Sequence, residues 1–276
     1  MAKDLNEEGT AFYWRELNGV KALVCKPLED AGFINGFSTR LGGVSPFPDG
    51  DLNLAGFNED SASNIYENRR RFLSLFGEFE LATVWQVHGD EVRVVNEPGD
   101  AGDSNINADA IISKLGGVLI GVKTADCVPV LIGDPVTGAF ASVHAGWRGS
   151  VKRIVQNTIR RMNEEFGVDP AHLVCAIGPA ASGRRYEVGG EVIESFADHK
   201  DPEKYFQPTR DGHATIDLHW VNRDQLEELG VSASNIFATG LCTIERTDLF
   251  FSYRIEKQKF GKTGRSLSVI GREELP

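Results

Sequence analysis

The sequence has no basic excess. Its 29 lysines and arginines are outnumbered by 40 aspartates and glutamates, a formal net charge of -11. That field excludes general binding to nucleic acid or to an anionic membrane surface. A site for a single phosphate remains possible, but only through a local cluster of cations. Cysteine is scarce: Cys25, Cys127, Cys175 and Cys242 are far apart and form no CxxC pair, which argues against a disulfide framework and for a reducing, cytoplasmic setting. No apolar run approaches the length of a membrane span, and residues 1–10 are polar and acidic, unlike a signal peptide. No repeat, linker or low-complexity stretch divides the chain. The expectation is a flexible N-terminus over 1–10 and one domain over 11–276.

What is present fits a soluble globular protein: 276 residues, 41% apolar and 25% charged. A chain of this size buries roughly three quarters of its unfolded surface. Strands are predicted at 12–14 and 20–25 around an Asn18-Gly19 turn, and at 31–39. A long loop with four glycines follows at 41–56, beside Arg40. Ser61 or Ser63 caps a helix reaching to about Phe76. Further strands are expected at 81–87, 92–95, 108–113 and 118–123. The stretch 121–149 reads as two buried strands joined by a turn, with Asp126 and Cys127 on the first and His144 near the end of the second. The spacing then predicts one helix over 150–166, a strand at 173–178, a helix at 191–199, a loop over 200–214 and a helix over 217–229. Strands at 235–239, 249–253 and 266–270, with a basic turn at 257–265, complete the set. Strands come in runs rather than in regular βαβ alternation, so the fold class is α+β.

Three good metal ligands, His88, Cys127 and His144, each end a β-rich apolar run. Strands of one sheet deliver such end residues to a common rim. Their spacing is not that of a zinc finger, and each alone reads equally as a buried thiol or a hydrogen-bonded core histidine. Together, a His2Cys set with an open fourth position is a catalytic zinc pattern, and zinc lowers the pKa of a bound water toward about 7. Asp126 could orient a histidine or take a proton, or simply cap a turn. Arg40, near the exposed backbone of Gly42 and Gly43, and Arg148, ahead of the helix at Ser150, are candidate anion contacts, or ordinary surface arginines. A blue copper site also uses His2Cys. A multicopper oxidase needs further histidines in HxH groups, and His172, His199, His213 and His219 form none. A metal-free hydrolase would use Cys127 as nucleophile and His144 as base. A non-catalytic, zinc-stabilised binding protein is the remaining class.

The segments STRLGGVS (38–45), WQVHGDEV (85–92), ADAIIS (108–113), KTADCVPVLIGDP (123–135), VHAGWRGS (143–150), AIGP (176–179), YEVGGEV (186–192), DLFFSYR (248–254) and TGRSLSVIGR (263–272) resemble the YfiH-like, laccase-domain family, also called the polyphenol oxidase or purine nucleoside phosphorylase family. The resemblance spans nearly the whole chain. It implies a single-domain, four-layer α/β/β/α fold with mixed sheets, similar to the catalytic domain of cytotoxic necrotizing factor, a cysteine-dependent deamidase. It implies zinc on His88, Cys127 and His144, with copper as the alternative. It implies phosphorolysis of purine nucleosides (adenosine, inosine, guanosine, methylthioadenosine) and adenosine deamination, with Arg40 as phosphate contact. The partners expected are small purine nucleosides and phosphate, with no nucleic acid or membrane, in a monomer or small homo-oligomer. The alternatives are a copper-dependent polyphenol oxidase and the metal-free hydrolase. The chain departs from the family pattern at Ala180 and Arg184-Arg185, where members often carry a cysteine pair, and at Cys242-Thr243-Ile244. Both departures bear on the pocket wall and so on substrate preference.

Overall fold

The computed structural model describes residues 11–46, 51–55, 60–102 and 105–274. The flexible terminus expected over 1–10 lies outside the described residues, as do parts of the glycine-rich loop (47–50 and 56). The chain opens with the hairpin β1 (Phe12–Leu17) and β2 (Val20–Cys25), turned by Asn18 and Gly19 at φ of 52° and 79°. Paired positive φ values match the right-handed twist of the flanking strands, which is why Asn-Gly suits the turn. A short helix α1 (Lys26–Asp30), unpredicted, starts on Pro27 and delays β3 to Ile34–Ser38.

Then follow α2 (Ala62–Leu73), β4 (Glu80–Ala82), β5 (Val92–Val95), β6 (Ala110–Ser113), β7 (Val118–Thr124), β8 (Val128–Gly133) and β9 (Phe140–Ala145). Ser61 caps α2 by accepting from the Asn64 N–H at 3.3 Å. Next come α3 (Trp147–Val151), α4 (Ile154–Phe166), β10 (Val174–Ile177), β11 (Glu187–Gly189), α5 (Gly190–Ser195), β12 (Phe206–Pro208), β13 (His213–Ile216) and α6 (Leu218–Glu228). The chain ends through β14 (Ile236–Ala238), α7 (Tyr253–Phe260) and β15 (Ser266–Gly271).

Two six-stranded sheets form the frame, in the orders β1-β2-β3-β15-β7-β4 and β14-β10-β8-β9-β6-β5; β11-β13-β12 make a small third sheet. Both large sheets are mixed, because β4/β7, β5/β6 and β10/β14 pair in parallel among antiparallel neighbours. Alternation along the strands explains the layering. On β7 and β15, Ile120 and Ile270 face Leu131 and Phe140 of the second sheet, while Leu119 and Val269 face Phe72 of α2. On β8, Val128, Val130 and Ile132 turn the other way, onto Ile154 and Ile159 of α4 and Val221 of α6. The result is the expected α/β/β/α order of layers. β8 and β9 are covered on both faces, so every residue in them is buried, and a fully buried Val, Ile or Leu contributes about 1.5–3 kcal/mol each. Among the described residues, no helix is long and apolar enough to cross a membrane.

Several expected elements differ. The helix predicted over 150–166 is two helices, α3 and α4, separated at Arg153, whose φ of 61° no helix accommodates. The strand predicted at 81–87 stops at Ala82, because the chain turns off to form the loop carrying His88. The loop at 200–214 contains β12 and the start of β13. The strand predicted at 249–253 is absent, and the basic turn at 257–265 is half helix. There Ser252 caps α7 by accepting from the Ile255 N–H at 3.4 Å, and Gly261, at φ 75°, ends it. These are ordinary helix stop and start signals, masked by the apolar run at 249–251.

Candidate metal centre

Asp126 and Cys127 do not lie on a strand. β7 belongs to the first sheet and β8 to the second, so the chain changes sheets within residues 125–127, with Asp126 at φ 83°. That crossing lifts Cys127 to the rim. His144 lies on β9, directly across from Pro129 of β8. His88 sits at φ 58° in the loop after β4. Gln86 ties that loop to β7: its side chain donates to the Lys123 carbonyl at 2.7 Å and accepts from the Lys123 N–H at 2.8 Å.

The sequence-based grouping of three ligands is therefore a spatial one. One donor atom from each of His88, Cys127 and His144 lies within 4.8 Å of the others. The Cys127 Sγ to His88 Nε2 distance is 3.9 Å. Zinc bond lengths at tetrahedral angles separate a sulfur and a nitrogen ligand by about 3.6 Å. The set thus fits a metal ion, with two nitrogens and a thiolate converging and the remaining side open to a pocket.

Asp109, which the sequence reading missed, organises the group. The residue is fully buried just before β6. Its Oδ1 lies 2.7 Å from His144 Nδ1 and accepts from the His88 N–H at 3.0 Å. Its Oδ2 accepts from the N–H groups of Val87 and Gly89 at 3.1 and 2.7 Å. One carboxylate therefore shapes the His88 loop and leaves the Nε2 of His144 for the metal, the usual arrangement behind a ligating histidine. Burial opposes ionisation of Asp109, but His144 and these amides hold its pKa below the usual carboxylate range. Burial also opposes the Cys127 thiolate, yet His144 and His88 beside it bring that thiol down to about 6. His144 is in turn raised to about 9, against burial, by Cys127 and Asp109. Gly146 completes the packing: a Cβ there would stand 3.0 Å from Cys127 Sγ and 3.1 Å from His88 Cδ2.

A pocket of ≈ 590 Å³ opens on the three ligands. Lys123, Arg148, Arg254 and Arg265 line it, a local cationic wall in an acidic protein. The three arginines lie over aromatic rings: Arg148 over Trp147 at 4.1 Å, Arg254 over Tyr186 at 4.9 Å and Arg265 over Tyr253 at 5.8 Å. Trp85, about half exposed, stands at the mouth.

Arg148 is exposed at the pocket wall. Arg40 lies elsewhere. It is buried, with its guanidinium bonded to Asp51, to Glu256 at 2.8 Å and to the Thr247 carbonyl at 2.8 Å. Nor does it line the pocket. It joins the glycine-rich loop to α7. Asp126 borders the pocket, but its carboxylate accepts from the Thr243 hydroxyl at 2.6 Å, the Ser252 hydroxyl at 3.1 Å and the Arg254 N–H at 2.7 Å. Burial pushes its pKa up, against those three donors. The departures noted in the sequence sit close by: Ala180 bridges to Cys242, and Arg184 reaches Glu245 at 3.4 Å, beside Tyr186 of the wall.

Residues 34–273 match the profile of the multi-copper polyphenol oxidoreductase laccase family. The chain belongs to that family. It is 37% identical over 237 residues to a purine nucleoside phosphorylase of Deinococcus radiodurans, covering 85% of this chain and 87% of that one. It is 35% identical over 238 residues to the purine nucleoside phosphorylase YfiH of Escherichia coli, covering 84% and 91%. The crystal structure of YlmD from Geobacillus stearothermophilus superposes with a TM-score of 0.87 at 32% identity, covering 96% of this chain and all of that one. The mixed α+β architecture is therefore the family's own.

Proposed function

We propose that this chain is a zinc-dependent purine nucleoside phosphorylase that also deaminates adenosine, acting in the cytoplasm as a monomer or small homo-oligomer. The observation that carries the reading is the meeting, in one pocket, of the His88–Cys127–His144 group with Arg148, Arg254 and Arg265 and with the rings of Trp85, Trp147, Tyr186 and Tyr253. Zinc would be held by His88, Cys127 and His144. When bound, it supplies Lewis acidity and a fixed positive charge at the pocket base. Phosphate is held by Arg148 and Arg254, whose planar guanidiniums suit it; Arg40, enclosed by carboxylates, supports the loop instead. The purine stacks on the aromatic wall of Trp85, Trp147 and Tyr186. In phosphorolysis a phosphate oxygen bonds to C1′ as the C1′–N9 bond breaks, and its electron pair leaves with the base. Tyr186 is pushed up to about 12 by burial and by neighbouring Cys127, so it keeps its proton and offers a hydrogen bond to that base. Adenosine deamination at the same site converts adenosine and water to inosine and ammonia. The four nucleosides named by the resemblance are the substrates expected.

The test is incubation of zinc-loaded protein with inosine, with and without phosphate. Hypoxanthine and ribose 1-phosphate are expected only with phosphate, and a lack of phosphate-dependent base release from any purine nucleoside would sink the reading. The family's description favours a second reading, a copper-dependent polyphenol oxidase; stoichiometric copper with a visible charge-transfer band supports it. The Cys127 thiol, lowered by His144 beside it, favours a third, a metal-free hydrolase with Cys127 as nucleophile and His144 as base, akin to the cysteine-dependent deamidase fold. Turnover that survives chelation and dies on thiol alkylation supports that one.

A further inference from the structure

Asp126 is buried, sits at a positive φ beside a metal ligand, and gives its carboxylate to Thr243, Ser252 and Arg254. Its partners all lie in the stretch 243–254, more than a hundred residues along the chain. Two of them, the Ser252 hydroxyl and the Arg254 N–H, belong to the start of α7. The first N–H groups of a helix have no partner within it, and a carboxylate there is favoured by the helix dipole. Asp126 thus acts as a cap for α7 from a distant turn. Arg254 is the second residue of that helix. Its side chain lies over Tyr186, donates to the Glu187 carbonyl at 2.9 Å and lines the pocket.

We infer that Asp126 is a positioning residue for anion binding: it sets Arg254 against the pocket and ties that placement to the turn that presents Cys127. The inference rests on the phosphate role given above to Arg254, and it replaces the proton-moving role expected for Asp126. Three donors occupy three of the carboxylate's roughly four acceptor sites, both of those on Oδ2 included. An asparagine there can keep its oxygen on the Ser252 hydroxyl and the Arg254 N–H and turn its NH2 to the Thr243 hydroxyl, so the hydrogen bonds at the start of α7 lose their charge assistance. Loss of one charge-assisted hydrogen bond corresponds to about a tenfold change in affinity or more.

The experiment titrates the metal-loaded full chain with inorganic phosphate and reads tryptophan fluorescence and heat. Arg254→Ala should weaken phosphate binding about tenfold. Asp126→Asn should weaken it to a similar degree with metal content unchanged, and the double variant should be no weaker than Arg254→Ala alone, because both act through one contact. Should Asp126→Asn fail to fold, Ser252→Ala, which removes one donor from the same carboxylate, should lower affinity in the same direction. Wild-type phosphate affinity in Asp126→Asn, or in Ser252→Ala in its place, would overturn the inference. So would additive losses in the double variant, or no phosphate binding by the wild type. Phosphate binding that follows this pattern without any release of base would instead sink the phosphorylase reading and leave this one standing.

Discussion

Asp109→Asn replaces one oxygen with a nitrogen at the centre of the His88 loop, and its consequence follows from four contacts. Oδ1 serves the His88 N–H and His144 Nδ1; Oδ2 serves the Val87 and Gly89 N–H groups. An amide has one acceptor oxygen, so its NH2 must face one of these pairs. Facing Val87 and Gly89 leaves two partly buried donors unpaired, at up to about 1–3 kcal/mol each. Facing His88 and His144 leaves one, and the NH2 can then donate to His144 Nδ1. That second arrangement is the less costly and moves the ring proton of His144 to Nε2, the atom the metal needs. The variant should fold, lose about 1–3 kcal/mol of stability, and bind zinc about 10–100-fold more weakly. Urea denaturation reads the first effect, and competition with a chromophoric chelator reads the second. A folded Asp109→Asn protein with wild-type zinc affinity would refute the reasoning.

Three further outcomes are expected. Gly146→Ala should lower metal content while the fold survives. Gly146 has an ordinary φ of -71°, so only crowding against Cys127 and His88 is at issue, an overpacking cost of about 1–3 kcal/mol; full metal occupancy by mass spectrometry would contradict this. In metal-free protein at pH 7, iodoacetamide should alkylate Cys127 and spare Cys25 and Cys175. The Cys127 thiol, held down at about 6, is mostly thiolate at that pH and loses reactivity as pH falls through about 6. Burial pushes Cys25 up to about 12 and raises Cys175 as well. Peptide mapping checks the selectivity, and zinc should abolish the reaction. Arg40→Ala should cost about 3–5 kcal/mol in denaturant unfolding, since it removes the cation between two buried carboxylates. The folded protein should keep its phosphate affinity; a specific loss of that affinity would restore Arg40 to the site.

The three candidate ligands were legible because His88, Cys127 and His144 each end an apolar run. The order of layers came with the family resemblance; the run of strands alone gave only the α+β class. What was hidden depends on contacts between distant segments. Asp109 reads as an ordinary acidic residue ahead of a strand until its four partners are in place. Asp126 reads equally as a proton carrier or a turn cap, and its partners show only when Ser252 and Arg254 fold onto it. Arg40 reads as an exposed anion contact because its two carboxylates come from residue 51 and from residue 256. The start of α7 was lost to the apolar run at 249–251, which resembles a strand, although Ser252 and Gly261 are normal caps. With it went Tyr253 and Arg254, both of which line the pocket.

Cys127→Ala tests the central claim that the metal group is the reaction centre. Metal content and phosphate-dependent release of hypoxanthine from inosine should be measured on the same samples of wild type and variant. Wild type is expected to hold one zinc per chain and to release base, and the variant to have lost both. Retained zinc in the variant would mean that Cys127 is not a ligand, and retained turnover would place the chemistry elsewhere in the molecule.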